Sequence, residues 1–352
     1  MGTGLTAGRC PGMTIFGSDA THVSVAAPPA IIARYLDGEF RMAPRIGYLL
    51  PTRESIMEGH PQAAPLLALA ERAEGLGYDS IWVGDSVIAR PRHEPLTLLS
   101  AVAARTKRAE LGTAVLLPAL RNPVVLAHGI ATLDQISEGR FILGVGIATD
   151  VPNIRAEFIA CGVPFEKRVG RMLEGLRLCR ELWNGKPVSW NGRWVVENAM
   201  LGPVPHRPGG PPIWIGGMVR PSLERVGRLY DGWFPNSPDT ARWGRQWAEI
   251  KDIARDAGRD PAQLTGAVYL TLRIDDDTAS AEARMDQFMS TYYGRPAAEI
   301  RDHQASYAGS ASGAAEYLQS FISAGATHLV LRFAGDHERH LEAVARLRDQ
   351  LR

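Results

Sequence analysis

The chain has 352 residues and a formal net charge of +1, from 39 basic and 38 acidic residues, so no charge excess draws it to nucleic acid or an anionic membrane. Val23 to Ala33, the longest apolar run near the N-terminus, is interrupted by Pro28 and Pro29 and is too short to span a bilayer; no membrane partner is expected. Cys10, Cys161 and Cys179 are odd in number and widely spaced, which excludes a disulfide framework or a cysteine zinc site and suits a reducing cytoplasm.

One large core is feasible, because a domain of about 300 residues buries roughly 75% of the surface its unfolded chain exposes. Residues 1–41 hold scattered Gly, Ala, Thr and Pro without a sustained period, and read as an irregular, poorly ordered extension or as a plug for one end of a barrel. Met13 and Met42 are both candidate starts of translation. The catalytic domain is expected over 42–352.

From Arg45 the chain alternates. Ile46 to Pro51 reads as a strand, Gln62 to Gly77 as a helix with Leu66, Leu69, Ala70 and Ala73 on one face, and Ser80 to Ser86 as a second strand. Pro95 to Thr106 is a helix and Leu111 to Leu117 a third strand. Asn122 and Pro123 then open a helix whose Leu126, Ile130, Leu133 and Ile136 share a face, and Gly139 ends it. Phe141 to Ile147 is a continuous apolar strand, in which Gly144 and Gly146 clear one face for something flat or anionic. Glu166 to Trp183 is the fourth helix.

Lys186 to Pro212 breaks the rhythm. Trp190, Trp194 and Val195 around Asn191-Gly192 signal a hairpin inserted between helix four and strand five. Alternation resumes with strands at 212–217, 232–235, 267–274 and 328–333 and helices at 222–230, 241–257, 279–292 and 311–324, before a last helix ending near Leu351. Eight strands alternating with helices predict an α/β fold, a (β/α)8 TIM barrel, with its chemistry at the carboxyl ends of the strands.

Those ends nominate the site. Asp85 ends strand two and either polarises a bound atom or only caps the following loop; Ser86 beside it is a weaker candidate. Among the histidines only His93 falls in a loop on the expected active face, whereas His128 lies within a helix. Gly216-Gly217 either lets backbone amides approach a phosphate, helped by Arg220, or makes a tight turn. GVGIAT at 144–149 is not the complete dinucleotide fingerprint, and His337, Glu338 and His340 fall one residue short of the zinc spacing. Strand eight ends at Arg332 and Phe333. The floor so formed is apolar with few charges, which implies a largely apolar organic substrate.

Several stretches in order carry a resemblance: LAERAEGLGYDSIWVGDS, LGTAVLL followed by RNP, LAHGIATLDQISEGRFILGVG, EFIACGVPFEKR, PPIWIGG, YDGWFPN and GSASGAAEYLQSFISAGATHLVL. From about Arg45 to Leu351 the chain resembles the luciferase-like monooxygenase family, TIM-barrel oxidoreductases that use FMN or the deazaflavin F420. The resemblance implies a flavin-like ring across the barrel mouth, against a non-prolyl cis peptide at Ala114-Val115. It also implies that Gly144 and Gly146 face that ring, that Thr149 and Gly216-Gly217-Met218 bind the cofactor's side chain or phosphate, and that Asp85 is the acid beside the deazaflavin. Ser86 and Val87 stand where many relatives have histidine, and Thr149 where the sugar-phosphate dehydrogenases have an acid. Asp85, Ser86 and His93 are the catalytic candidates. The expected activity is F420-dependent hydride transfer to or from an organic molecule. The alternatives are an FMN-dependent monooxygenase and a flavin-binding barrel without turnover; homodimers are common among such relatives.

Overall fold

A computed structural model describes residues 43–351 together with Met1; the expected N-terminal extension and Cys10 lie outside the described residues. The first strand, β1 (Arg45–Leu49), is followed by α1 (Thr52–Met57) and α2 (Ala63–Gly75), then β2 (Ser80–Val83), α3 (Pro95–Arg105), β3 (Glu110–Thr113), α4 (Pro123–Ile136) and β4 (Phe141–Val145). After α5 (Pro152–Ala160) and α6 (Arg168–Leu182), β5 (Val188–Asn191) and β6 (Val195–Ala199) pair antiparallel as the expected hairpin. The barrel continues with β7 (Ile213–Ile215), α7 (Arg220–Leu229), β8 (Gly232–Trp233), α8 (Thr240–Asp256), β9 (Thr265–Ile274), α9 (Thr278–Tyr293), α10 (Ala297–Arg301), β10 (Ser306–Gly309), α11 (Ala311–Ser323), β11 (His328–Phe333) and α12 (His337–Leu347).

Parallel pairing runs β11-β1-β2-β3-β4-β7-β8, and β8 closes onto β9, which pairs in turn with β11. Eight strands therefore form a closed TIM barrel. β10 pairs with the last residues of β9, Thr271 to Ile274, and so raises the wall above the short β8.

The barrel interior is filled by Leu49, Trp82, Ile142, Trp214, Phe234, Ala267 and Val330. Trp82 lies across two glycines: a Cβ on Gly112 would come within 2.2 Å of its ring, and one on Gly47 within 2.6 Å of Nε1. Its indole donates to Ser80 Oγ (2.6 Å), which is in turn hydrogen-bonded with His328 Nε2 (2.7 Å). Burial pushes the His328 ring down to a pKa of about 3, so a neutral imidazole seals the floor.

Helix starts follow local chemistry. Asn122 Oδ1 accepts from Val124 N at 2.9 Å and Pro123 takes the first helical position of α4. That helix ends at Ile136, and both Glu138 (φ 55°) and Gly139 (φ 77°) adopt the left-handed turn that leads into β4. Most strands stop two to four residues short of their expected ends, because the chain leaves the ladder to build the mouth. Among the described residues no helix is long and apolar enough to cross a membrane.

Candidate functional site

At the carboxyl ends of the strands a cavity of about 490 Å³ opens, with Leu49, Ile215 and Phe234 at its base. One wall is the end of β3. Ala114-Val115 is a non-prolyl cis peptide, as the resemblance implies, and both residues line the cavity. The chain rejoins β4 just beyond, with Leu116 N donating to Gly144 O (2.8 Å) and Gly146 N donating to Leu116 O (3.0 Å).

The two glycines serve this bulge. A Cβ on Gly144 would sit 2.0 Å from Thr113 O, and one on Gly146 would sit 2.6 Å from Val115 Cγ2. Gly146 does line the cavity, but Gly144 is buried behind the wall, so it clears room for the protein's own backbone rather than for a ligand.

Asp85 reaches the cavity, yet its carboxylate is occupied. Oδ2 accepts from Arg121 Nη1 (2.6 Å) and Leu117 N (2.9 Å), Oδ1 accepts from Arg121 Nη2 (3.0 Å), and the side chain is 2% exposed. It anchors the loop after β3 rather than capping the loop that follows its own strand. Ser86 is likewise engaged, donating to Glu157 Oε1 (2.8 Å) while accepting from Arg90 N (2.9 Å). The same Glu157 oxygen accepts from the successive amides of Val87, Ile88 and Ala89 at 2.6–3.1 Å, so a carboxylate from α5 fills the concavity of this loop. His93 is absent from the lining; its Nε2 contacts Pro61 O at 2.8 Å. The structure thus gathers Asp85 and Ser86 at the mouth as scaffold and leaves His93 aside.

On the β7 side the cavity is lined by Gly216, Gly217 and Met218, with Thr149 from the segment after the adjoining β4. Gly217 needs its flexibility: φ is +106°, and a Cβ would lie 2.9 Å from Ser222 Oγ. Trp233 Nε1 donates to Gly217 O (2.9 Å) and Gln246 Nε2 to Met218 O (2.7 Å), which fixes the turn. α7 starts here without a side-chain cap; Pro221 has no N–H and Ser222 N donates to Val219 O (2.7 Å), which leaves the Arg220 amide at the helix start beside the cavity. Arg220 points elsewhere, paired with Glu224 and Glu249 at the surface. On this side the cation that lines the cavity is Arg225, five residues further along α7.

The opposite side of the mouth corrects the expectation of few charges. Arg90 and Arg92 from the loop after β2 line it with Tyr269 of β9 and Tyr292 and Tyr293 of α9. Behind the rings lies Arg332 of β11, 1% exposed, which donates to Thr271 Oγ1 (2.9 Å) and Tyr293 OH (3.1 Å). Arg53 lies 4.4 Å over the Tyr292 ring. Burial raises the Glu54 carboxyl above its ordinary range against the opposing pull of Arg332, and raises the Tyr269 phenol well above its own. Arg332 was visible as a strand end, but the tyrosines and the Arg53-Glu54 pair sit in elements whose orientation only the fold supplies. Among the described residues no group of three or more His, Cys, Asp or Glu is placed to hold a metal ion.

The closed (β/α)8 barrel, with its cavity at the carboxyl ends of the strands between the end of β3 and the Gly216-Gly217 turn, defines a TIM-barrel protein. The chain matches the luciferase-like monooxygenase family over residues 44–351 and belongs to it. A 5,10-methylenetetrahydromethanopterin reductase of Methanolobus tindarius is 31% identical over 214 residues, covering 61% of this chain and 63%, just under two thirds, of the relative. An F420-dependent glucose-6-phosphate dehydrogenase of Amycolatopsis mediterranei is 30% identical over 305 residues, covering 78% of this chain and 90% of that one. Among solved structures, an F420-dependent secondary alcohol dehydrogenase in complex with an F420-acetone adduct shares the fold, with a TM-score of 0.74 over 88% of this chain and 100% of that chain at 20% identity.

Proposed function

We propose that this chain is an F420-dependent oxidoreductase that moves a hydride between the deazaflavin and a small organic substrate, with residues 42–352 as its catalytic domain. The observation that carries the reading is the pairing, in one cavity, of the Ala114-Val115 wall with the uncapped start of α7, its Gly216-Gly217 turn and Arg225. A flat ring fits the first and a phosphate the second. Two of the relatives described above are F420-dependent by name, which supports the choice of cofactor.

The bound deazaflavin supplies the two-electron chemistry, so the protein's own residues have to bind, orient and exclude water. Val115, Gly146, Ile147 and Ala148 line one wall of the cavity and would hold the flat ring. The Arg220 amide at the start of α7, the Ser222 hydroxyl and Arg225 would hold the anionic side chain. Asp85 and Glu157 keep the two loops above the barrel in register. The Tyr269 hydroxyl, which has no partner among the described residues and whose ring is 5.5 Å from the Arg332 guanidinium, is free to donate a hydrogen bond to the substrate.

Arg225→Ala tests the assignment of the phosphate end. A lost charge-assisted hydrogen bond is worth about 1.5–3 kcal/mol, so affinity for F420 is expected to fall at least ~10-fold while affinity for the phosphate-free deazaflavin changes little. Equal loss for both compounds, read by fluorescence titration, contradicts the placement. The luciferase-like family name favours one second reading, an FMN-dependent monooxygenase, which a comparison of the two cofactors separates. The free Cys161 and Cys179 support a reducing, cytoplasmic setting. Exposed Val195 (66%) and Met200 (68%) on the hairpin support a homodimer, which sedimentation tests.

A further inference from the structure

The two sides of the mouth differ in what they offer a ligand. β7 lies three places round the ring from β2, whereas β9, β11, β1 and β2 adjoin one another on the far side. On that far side the polar atoms turned to the cavity are nearly all donors. Arg92 gives Nε to Arg90 O (3.2 Å) and brings Nη2 to 3.4 Å from Tyr292 OH, and neither Arg90 nor Arg92 meets a carboxylate among the described residues. The Tyr292 hydroxyl accepts that contact and keeps its own proton to donate; the Tyr269 hydroxyl is not engaged by any described residue.

Cations stand behind these rings. Arg332 is 4.6 Å from the Tyr292 centroid and 5.5 Å from that of Tyr269, and Arg53 is 4.4 Å from Tyr292. A guanidinium against the ring face is held there by the ring quadrupole and adds positive potential beside the hydroxyls. The Asp85 carboxylate at the end of β2 is already paired with Arg121, and the carboxyl left to face this group is Glu54, whose Oε1 is enclosed without a partner. Four arginines against one carboxyl leave net positive charge whichever form Glu54 takes. Desolvated cations without counter-charge are costly unless a ligand supplies one.

We propose that this end of the mouth binds an anionic oxygen group of the substrate, a carboxylate or phosphate ester, through Arg92, Arg90 and the hydroxyls of Tyr269 and Tyr292. The substrate is then an organic anion rather than the apolar molecule that the sequence suggests. The inference rests on the reading above, in which the cofactor's own phosphate lies at the α7 end and leaves this end to the substrate. Charge-assisted hydrogen bonds from guanidinium and phenol select an anion over a neutral molecule of the same shape.

Calorimetric titration of the full chain with benzoate, phenyl phosphate and benzamide, each with and without saturating F420, tests this. One or both anions are expected to bind at least ~10-fold more tightly than benzamide, and the stronger of the two identifies the group. Arg92→Met should erase that margin, Tyr292→Phe should reduce it ~2–5-fold with a well-folded chain, and Arg225→Met should leave it in place. Equal binding of benzamide, no anion binding at all, or a margin that survives Arg92→Met and vanishes in Arg225→Met would each overturn the proposal. Anion selectivity that depends on Arg92 in a protein that fails to bind F420 would instead leave the anion site standing and remove the cofactor reading.

Discussion

Asp85 carries a charge that Arg121 fully occupies, and the ion pair is nearly sealed from water on the aspartate side. Removing one partner of such a pair strands the other, at a cost larger than the pair's net worth. Asp85→Asn is therefore expected to destabilise the fold by about 2–4 kcal/mol in urea denaturation, with Arg121→Met similar and the double variant less than their sum. Full additivity would show that the two side chains act separately. Asp85 was visible in the sequence as an acid at a strand end, because strand ends in a barrel are predictable from alternation. Arg121, its partner 36 residues on, was not, since nothing in local spacing says which guanidinium will turn back over the mouth. Glu157 was equally hidden, as an ordinary acid within a helical stretch until the fold sets its oxygen against three consecutive amides.

The end of β3 and the middle of β4 work as one element. Thr113 Oγ1 donates to Gly144 O (2.7 Å), and Gly144 has no space for a side chain because the Thr113 carbonyl lies where its Cβ would go. Gly144→Ala must displace backbone rather than a flexible side chain, so a loss of about 2–4 kcal/mol is expected, with weakened F420 binding as Ala114-Val115 shifts. A Gly144→Ala protein that is stable and binds the cofactor normally would show that the wall is less constrained than this. The eight barrel strands and the hairpin were legible because each has a continuous apolar run or an Asn-Gly turn. α1, α5, α10 and β10 were not, being short pieces in the loops that roof the mouth, where the sequence answers to the site rather than to a period. Gly144 and Gly146 stand out in the sequence as places of close approach, but the sequence does not say what approaches.

Over the whole molecule, charge is arranged by layer. The floor is neutral: His328 is held at about 3, and on the far side of β11 His337 and His340 are held at about 4, all chiefly by burial. His340 Nε2 accepts from Ile274 N (3.0 Å) while Nδ1 faces Asp336 O (2.9 Å), a pattern that needs an uncharged ring, and Tyr48 OH meets His337 Nδ1 (2.9 Å). Below about pH 6.5 the unfolded chain takes up protons at these histidines, whereas the folded chain does so only near 3 to 4. The stability they confer is complete above about pH 6.5 and is lost as the pH falls. Each unit is worth about 1.4 kcal/mol, so the unfolding free energy should drop by at least ~3 kcal/mol between pH 7 and pH 5. A flat profile over that range would contradict the neutral floor.

The mouth, by contrast, is cationic at both ends and apolar between them, an arrangement suited to a flat cofactor with an anionic tail and an anionic partner beside it. Titration of the cofactor-free protein with F420 and, separately, with oxidised and reduced FMN, followed by fluorescence, absorbance and oxygen uptake, tests this most directly. The account predicts micromolar binding of F420, far weaker binding of FMN and no oxygen consumption with the reduced flavin. Tight binding of reduced FMN with oxygen uptake, or no binding of F420, would contradict it.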